Sequence, residues 1–177
     1  MPSPLAHVGI ALALRLVAAP RASPVLDRVA VAASVASVVP DLDMLLVLAL
    51  PVGLAWHHGP SHSLLGAAIG GWAVGRLARV DRRGLAICAV AGLSHAPMDY
   101  LTGVPGAPAS YGVPLLWPVV AERFIAPHPW FTPFNIDREG FLWHMVSPEA
   151  ARVYAREAVT VAVAGLFALV VRLSRAR

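Results

Sequence analysis

From Gly84 to Leu101 the chain runs through apolar and small residues interrupted only by His95 and Asp99. The two are four residues apart, so on a helix they share one face. No charge lies between Arg83 and Asp99. A histidine and a carboxylate at that depth in an apolar run must be paired, must bind something, or must line water. This constraint reaches further than one helix, because the chain repeats it.

Five apolar segments are legible. The first, Leu5 to Ala19, is bracketed by Pro4 and Pro20 and carries His7 in its first turn. The second begins after Asp27, a residue suited to N-capping, and runs through small residues to Pro40. Pro40-Asp41-Leu42-Asp43 interrupts it before the apolar run resumes to Pro51. The loop to Ser61 carries His57 and His58, and Ser61 is the expected cap of a third helix from His62 to about Arg79. The fourth runs from Gly84 to about Leu101, with Pro97 expected to kink its end. The last, Val153 to Leu173, is the plainest membrane span and ends in Arg172, Arg175 and Arg177.

Between Thr102 and Arg152 the composition changes. Eight of the 16 prolines fall here, with Trp117, Trp130, Phe131, Phe134, Phe141 and Trp143. So aromatic a connection reads as an interfacial cap over the bundle, not as disorder. A short helix is expected near Pro114–Phe124. His128 and His144 fall in the cap and read as surface residues, with a substrate contact as the alternative for His144.

The chain as a whole is 58% hydrophobic and only 14% charged, with mean hydropathy +0.67. Soluble domains carry about 25% charged residues. The expectation is one domain over residues 1–177: an all-α polytopic membrane bundle of about five helices, with the cap at about 102–152 and the final span at 153–173. The net charge of +4 comes from arginines at segment ends, which make no nucleic-acid patch. The lone Cys88 sits in an apolar run and reads as packing. The first residues carry no basic side chain and Arg15 breaks the first apolar run, so no secretory signal is expected.

Placing the segments antiparallel aligns their polar residues. His7 is 14 residues before Arg21, Asp41 is 13 after Arg28, His62 is 14 before Arg76, and His95 is 12 after Arg83. Each separation is roughly 18–21 Å of helix. Four segments thus put a His or Asp at one depth, away from the arginines. By the positive-inside rule the arginine end is cytoplasmic and the His/Asp layer faces outward.

Imidazole with carboxylate is the ligand set of zinc, manganese or iron. The expected metal ligands are His7, Asp41, Asp43, His57, His62, His95 and Asp99, with zinc or manganese bound. Asp43 is also the expected general base. Pro40 breaks the helical register, which lets Asp41 and Asp43 either converge or serve two metals. Taken singly, each has a plainer reading: a helix cap for Asp41 or Asp43, an interfacial residue for His7, a solvated loop residue for one of His57 and His58, and mutual pairing for His95 with Asp99. Those readings do not account for a shared depth.

An N-terminal His, Pro40-Asp41-Leu42-Asp43, His57-His58-Gly59-Pro60-Ser61-His62-Ser63, His95-x-x-x-Asp99 and Ser110-Tyr111-Gly112-Val113-Pro114, in this order, resemble the YdjM-like membrane-bound metal-dependent hydrolases. The resemblance spans His7 to about Pro118. The family's His-Arg-Gly-x-Thr-His-Ser has His58 here for Arg and Ser61 for Thr. It implies a divalent metal held by His57, His62 and their partners, in a bacterial or archaeal cytoplasmic membrane. A site under an aromatic lid suits a membrane lipid or lipid-linked ester or phosphoester as substrate. A non-enzymatic metal or proton carrier, which needs a polar path to the arginine end, and a scaffold with a structural metal are the alternatives.

Overall fold

The computed structural model describes residues 2–18, 26–50, 57–104, 112–133 and 145–175. Among the described residues seven helices follow in order: α1 Pro4–Ala18, α2 Arg28–Val38, α3 Asp43–Ala49, α4 Leu64–Leu77, α5 Arg82–Leu93, α6 His95–Tyr100 and α7 Pro148–Ser174. Tight 3-10 turns at Val39–Leu42 and Pro60–His62 precede α3 and α4. Taking α2 with α3 and α5 with α6 as two broken rods recovers the five expected helices. The described residues carry no strand beyond two isolated bridges. The fold is an all-α membrane bundle.

Local chemistry sets the helix ends. Asp27 caps α2 by accepting from the Ala30 N–H, and Asp81 caps α5 by accepting from Gly84 N–H. Ser63, not Ser61, caps α4 by accepting from Gly66 N–H, because the turn at Pro60–His62 absorbs Ser61. Ser147 caps α7, which starts at Pro148 and so extends five residues earlier than Val153. The fourth segment breaks at Ser94, ahead of Pro97. Pro97 is then the third residue of α6, in the first turn, where no N–H is needed for the ladder.

The packing is inverted relative to a soluble protein. The main buried cluster is Ala11, Ala32, Ala33, Ala36, Cys88 and Ala91, as expected for Cys88. Large apolar side chains such as Leu45, Leu65, Ile69, Trp72, Val163 and Phe167 point outward. With lipid as solvent there is nothing to gain by hiding leucine, and small residues let backbones meet. Segments Arg28–Val47 and Pro148–Ser174 are long and apolar enough to cross a membrane, with mean hydropathies of 1.7 and 1.8. Helices α1 and α4 are shorter apolar helices.

Two close approaches hold the site in register. Ala67, Gly71 and Gly75 line one stripe of α4, and Gly84, Cys88 and Gly92 one stripe of α5. A β-carbon on Gly71 would lie 2.3 Å from the Cys88 carbonyl oxygen, and one on Gly92 would lie 2.3 Å from that of Ala67. The backbones are in contact. Helix α1 packs between α2 and α7, and α2 packs on α4 and α5.

The cap docks on the end of the bundle that carries the histidines. Ala126 N–H donates to Tyr100 O, and Trp130 and Phe131 N–H both donate to Leu101 O. Phe131 packs on Ala6 and Met98, beside the first turn of α1. The expected helix near Pro114–Phe124 does not form. Residues 115–119 turn, and Val113 pairs with Phe124 in an antiparallel bridge instead. Pro20, Arg21, Pro51, Pro105, Pro108, Ser110, Tyr111, Phe134, Arg138, Phe141, Trp143, His144 and Arg177 lie outside the described residues.

Candidate metal centre

Five histidines and three aspartates from five parts of the chain meet at one end of the bundle. α1 contributes His7, the Pro40 turn Asp41, the start of α3 Asp43, the 57–62 turns His57, His58 and His62, and α6 His95 and Asp99. All seven residues expected from the sequence are there. His58 joins them, correcting the expectation that one of His57 and His58 is a solvated loop residue. Both are largely covered.

The local backbone explains the convergence. Pro40 cannot donate to the α2 ladder, so the chain tightens into a 3-10 turn. Beyond it Asp41 Oδ1 reaches to 3.4 Å from His95 Nε2, and Asp43 Oδ1 lies 2.7 Å from His57 Nδ1. His58 has φ 61°, a left-handed conformation in which histidine is enriched among non-glycine residues. That turn brings the consecutive rings of His57 and His58 to 4.4 Å between centroids. The i, i+4 spacing in α6 puts His95 Nε2 3.1 Å from Asp99 Oδ2.

Asp99 is the hub. Its carboxylate is fully buried and lies 2.7 Å from His62 Nδ1, with His7 Nε2 at 3.8 Å and His58 Nε2 at 3.9 Å. His62 links two carboxylates, since its Nε2 is 3.2 Å from Asp43 Oδ2. His7 stacks on His95 at 3.9 Å and 14°. The ring of His95 is oriented from behind: the Ser37 carbonyl, an acceptor only, lies 2.7 Å from Nδ1 and places the proton there, turning Nε2 to the carboxylates. Ser61, expected as a helix cap, instead directs its hydroxyl at Asp43 Oδ2, 3.4 Å away.

A family model described as YdjM inner membrane protein matches residues 1–176. The chain belongs to the YdjM family. It is therefore an inner membrane protein, in agreement with its two long apolar spans. No curated protein matches the chain, and no solved structure does.

In this YdjM chain the donor chemistry can be tested atom by atom. Among the described residues, the buried side-chain nitrogens and oxygens without a hydrogen bond are both ring nitrogens of His7, both carboxylate oxygens of Asp41, His58 Nε2, His62 Nε2 and Asp99 Oδ1. All seven belong to the cluster. Each such atom costs about 1–3 kcal/mol if nothing meets it. Three triads bring one donor atom per residue within 4.8 Å of each other: His7, His95 and Asp99; Asp41, His57 and His62; His58, His62 and Asp99. Imidazole nitrogen and carboxylate oxygen in that arrangement fit a divalent cation.

His58 belongs to the polar layer by its place in the sequence but not to the expected ligands, and the structure brings it into the cluster. The signal was present: Gly59-Pro60 directly after it marks a tight turn, and a left-handed residue there keeps adjacent side chains together. His128 is exposed in the cap, as expected.

Proposed function

We propose that this YdjM-family protein is a membrane-embedded, metal-dependent hydrolase acting on a lipid or lipid-linked ester or phosphoester. The observation that carries the reading is the concentration of every buried, hydrogen-bond-free side-chain atom among the described residues in one cluster of five histidines and three aspartates. A bound zinc or manganese ion would lower the pKa of water and polarise the scissile group. His7, Asp41, His57, His58, His62, His95 and Asp99 are the proposed ligands, and the overlap of two triads at Asp99 and of two at His62 allows two adjacent ions.

Asp43 is the proposed general base and a further candidate ligand. It differs from Asp99 in being partly exposed, 16% against 0% for the side chain, so water reaches it. The His57 ring and the Ser61 hydroxyl fix its carboxylate. From that position it takes a proton from water and returns it to the leaving oxygen. The cap, with Phe131 against α1 and Trp130 donating to Thr160 at 3.1 Å, supplies an aromatic rim suited to an acyl chain.

The carrier alternative needs a polar path from the cluster to the arginine end. The hydrophobic cluster between them is built of alanines and Cys88, which favours chemistry in place over transit. The site is proposed to face outward, with the arginine end cytoplasmic. Purified protein assayed on a panel of lipid esters and phosphoesters tests the function. Metal-dependent turnover, abolished in Asp43→Asn, is the expected result. Bound metal with no turnover on any substrate would assign the centre a structural role.

A further inference from the structure

At the opposite end of the bundle the helix termini line an open pocket of about 400 Å³. The end of α1, the starts of α2 and α5 and the turn after α4 line it. Its charged residues are Arg15, Arg28, Arg79 and Arg83 with Asp27 and Asp81. Both carboxylates are already engaged. Asp27 accepts from the Arg15 guanidinium, including Nε at 3.2 Å, and from Ala30 N–H, and Asp81 accepts from Gly84 N–H. Arg83 donates to the carbonyl of Ala18, a neutral partner that leaves its charge intact. Among the described residues Arg28, Arg79 and Arg83 have no carboxylate within ion-pair distance. Two helix N-termini add their positive ends to the same pocket.

Arg79 carries a second mark. Its φ is 53°, and the Val80 N–H reaches back to Gly75 O at 3.2 Å in a left-handed helix stop. Glycine holds that position without steric cost, and arginine does not. The backbone there favours glycine, and the residue present is a cation on the wall of a cationic pocket.

We propose that this pocket binds a phosphate-bearing anion, either the headgroup of an anionic phospholipid or free phosphate. Guanidinium groups match phosphate oxygens in pairs, and a basic pocket between membrane helices at the bilayer surface is suited to a lipid headgroup. The site is independent of the His/Asp cluster, from which the alanine core separates it.

The discriminating variant is Arg79→Gly. Relief of the left-handed strain means that it folds at least as well as the wild type. Thermal unfolding of the purified protein is followed with phosphatidylglycerol vesicles, with phosphatidylcholine vesicles and with inorganic phosphate in detergent. Stabilisation by phosphatidylglycerol but not phosphatidylcholine is expected, with affinity about fivefold weaker in Arg79→Gly and weaker again with Arg83→Gln added. Stabilisation by phosphatidylglycerol without inorganic phosphate assigns the headgroup; stabilisation by phosphate alone assigns the free anion. Equal response to both lipids with none to phosphate, or full affinity in Arg79→Gly, overturns the proposal.

Discussion

Replacing Gly71 by alanine places a methyl group where two backbones touch. The new β-carbon lies 2.3 Å from the Cys88 carbonyl oxygen and 3.1 Å from Gly92 Cα, whereas ordinary contact begins near 3.4 Å. Neither neighbour is a side chain that can swing away, so α4 and α5 must part by about 1 Å along the stripe, a gap that forfeits roughly a quarter to a half of each facing contact. Overpacking of this kind costs about 1–3 kcal/mol. In a chain of this size that lowers the unfolding midpoint by roughly 2–12 °C. The separation also reaches the site, because His62 lies two residues before the start of α4 and His95 two residues after the end of α5. Gly165→Ala on α7 is the control, since nothing lies within 4 Å of its β-carbon. There alanine brings only its helix propensity, worth up to about 1 kcal/mol. Thermal unfolding in a single detergent should move down for Gly71→Ala and unchanged or slightly up for Gly165→Ala. Equal midpoints for Gly71→Ala and the wild type would refute the reasoning about backbone contact.

Three further outcomes follow from named contacts. Arg15 holds the Asp27 carboxyl below its ordinary value of 3.8, chiefly through their hydrogen bond. A depressed folded pKa gives a contribution that is complete above 3.8 and is lost as pH falls through the lower folded value. Asp27→Asn should therefore unfold at a lower temperature than the wild type at neutral pH, the gap closing on acidification; a gap that stays constant to low pH would count against the pairing. Buried Glu157 accepts from Ser3 N–H at 2.6 Å and from the Ser3 hydroxyl, tying α7 to the first turn of α1. Glu157→Gln keeps the shape and loses an acceptor, so it should cost about 1.5–3 kcal/mol in denaturant unfolding, and an unshifted midpoint would show the contact to be idle. His58→Ala should weaken metal binding roughly tenfold or more while His128→Ala, exposed in the cap, leaves it unchanged; equal affinities by competitive titration would remove His58 from the centre.

What could be read in the residues was local. The Asp27 cap, the start of α1 at Pro4 and the His95–Asp99 face all depend on spacing within one helix, and all are present. The shared depth of His7, Asp41, His62 and His95 was also legible, because helix rise is uniform and the arginines mark a common level. Other features depend on partners far along the chain. Nothing near Ser3 announces Glu157, 154 residues away, and Arg15 interrupts an apolar run without indicating its salt bridge to Asp27. Turn chemistry was the other gap. Ser61 and Ser63 are equally good caps by composition, and the choice falls to the 3-10 turn that uses Ser61 at the site. The same kind of ambiguity left the role of His58 open, because its left-handed backbone is not written in its side chain.

The most direct test of the proposed centre is the metal content of the purified protein, prepared without added chelator, beside His95→Ala and Asp99→Asn. The account predicts a stoichiometric divalent transition metal in the wild type and its loss from both variants, with all three proteins still helical by circular dichroism. A wild-type protein that is folded, holds no metal and takes up none on titration with zinc or manganese would contradict it.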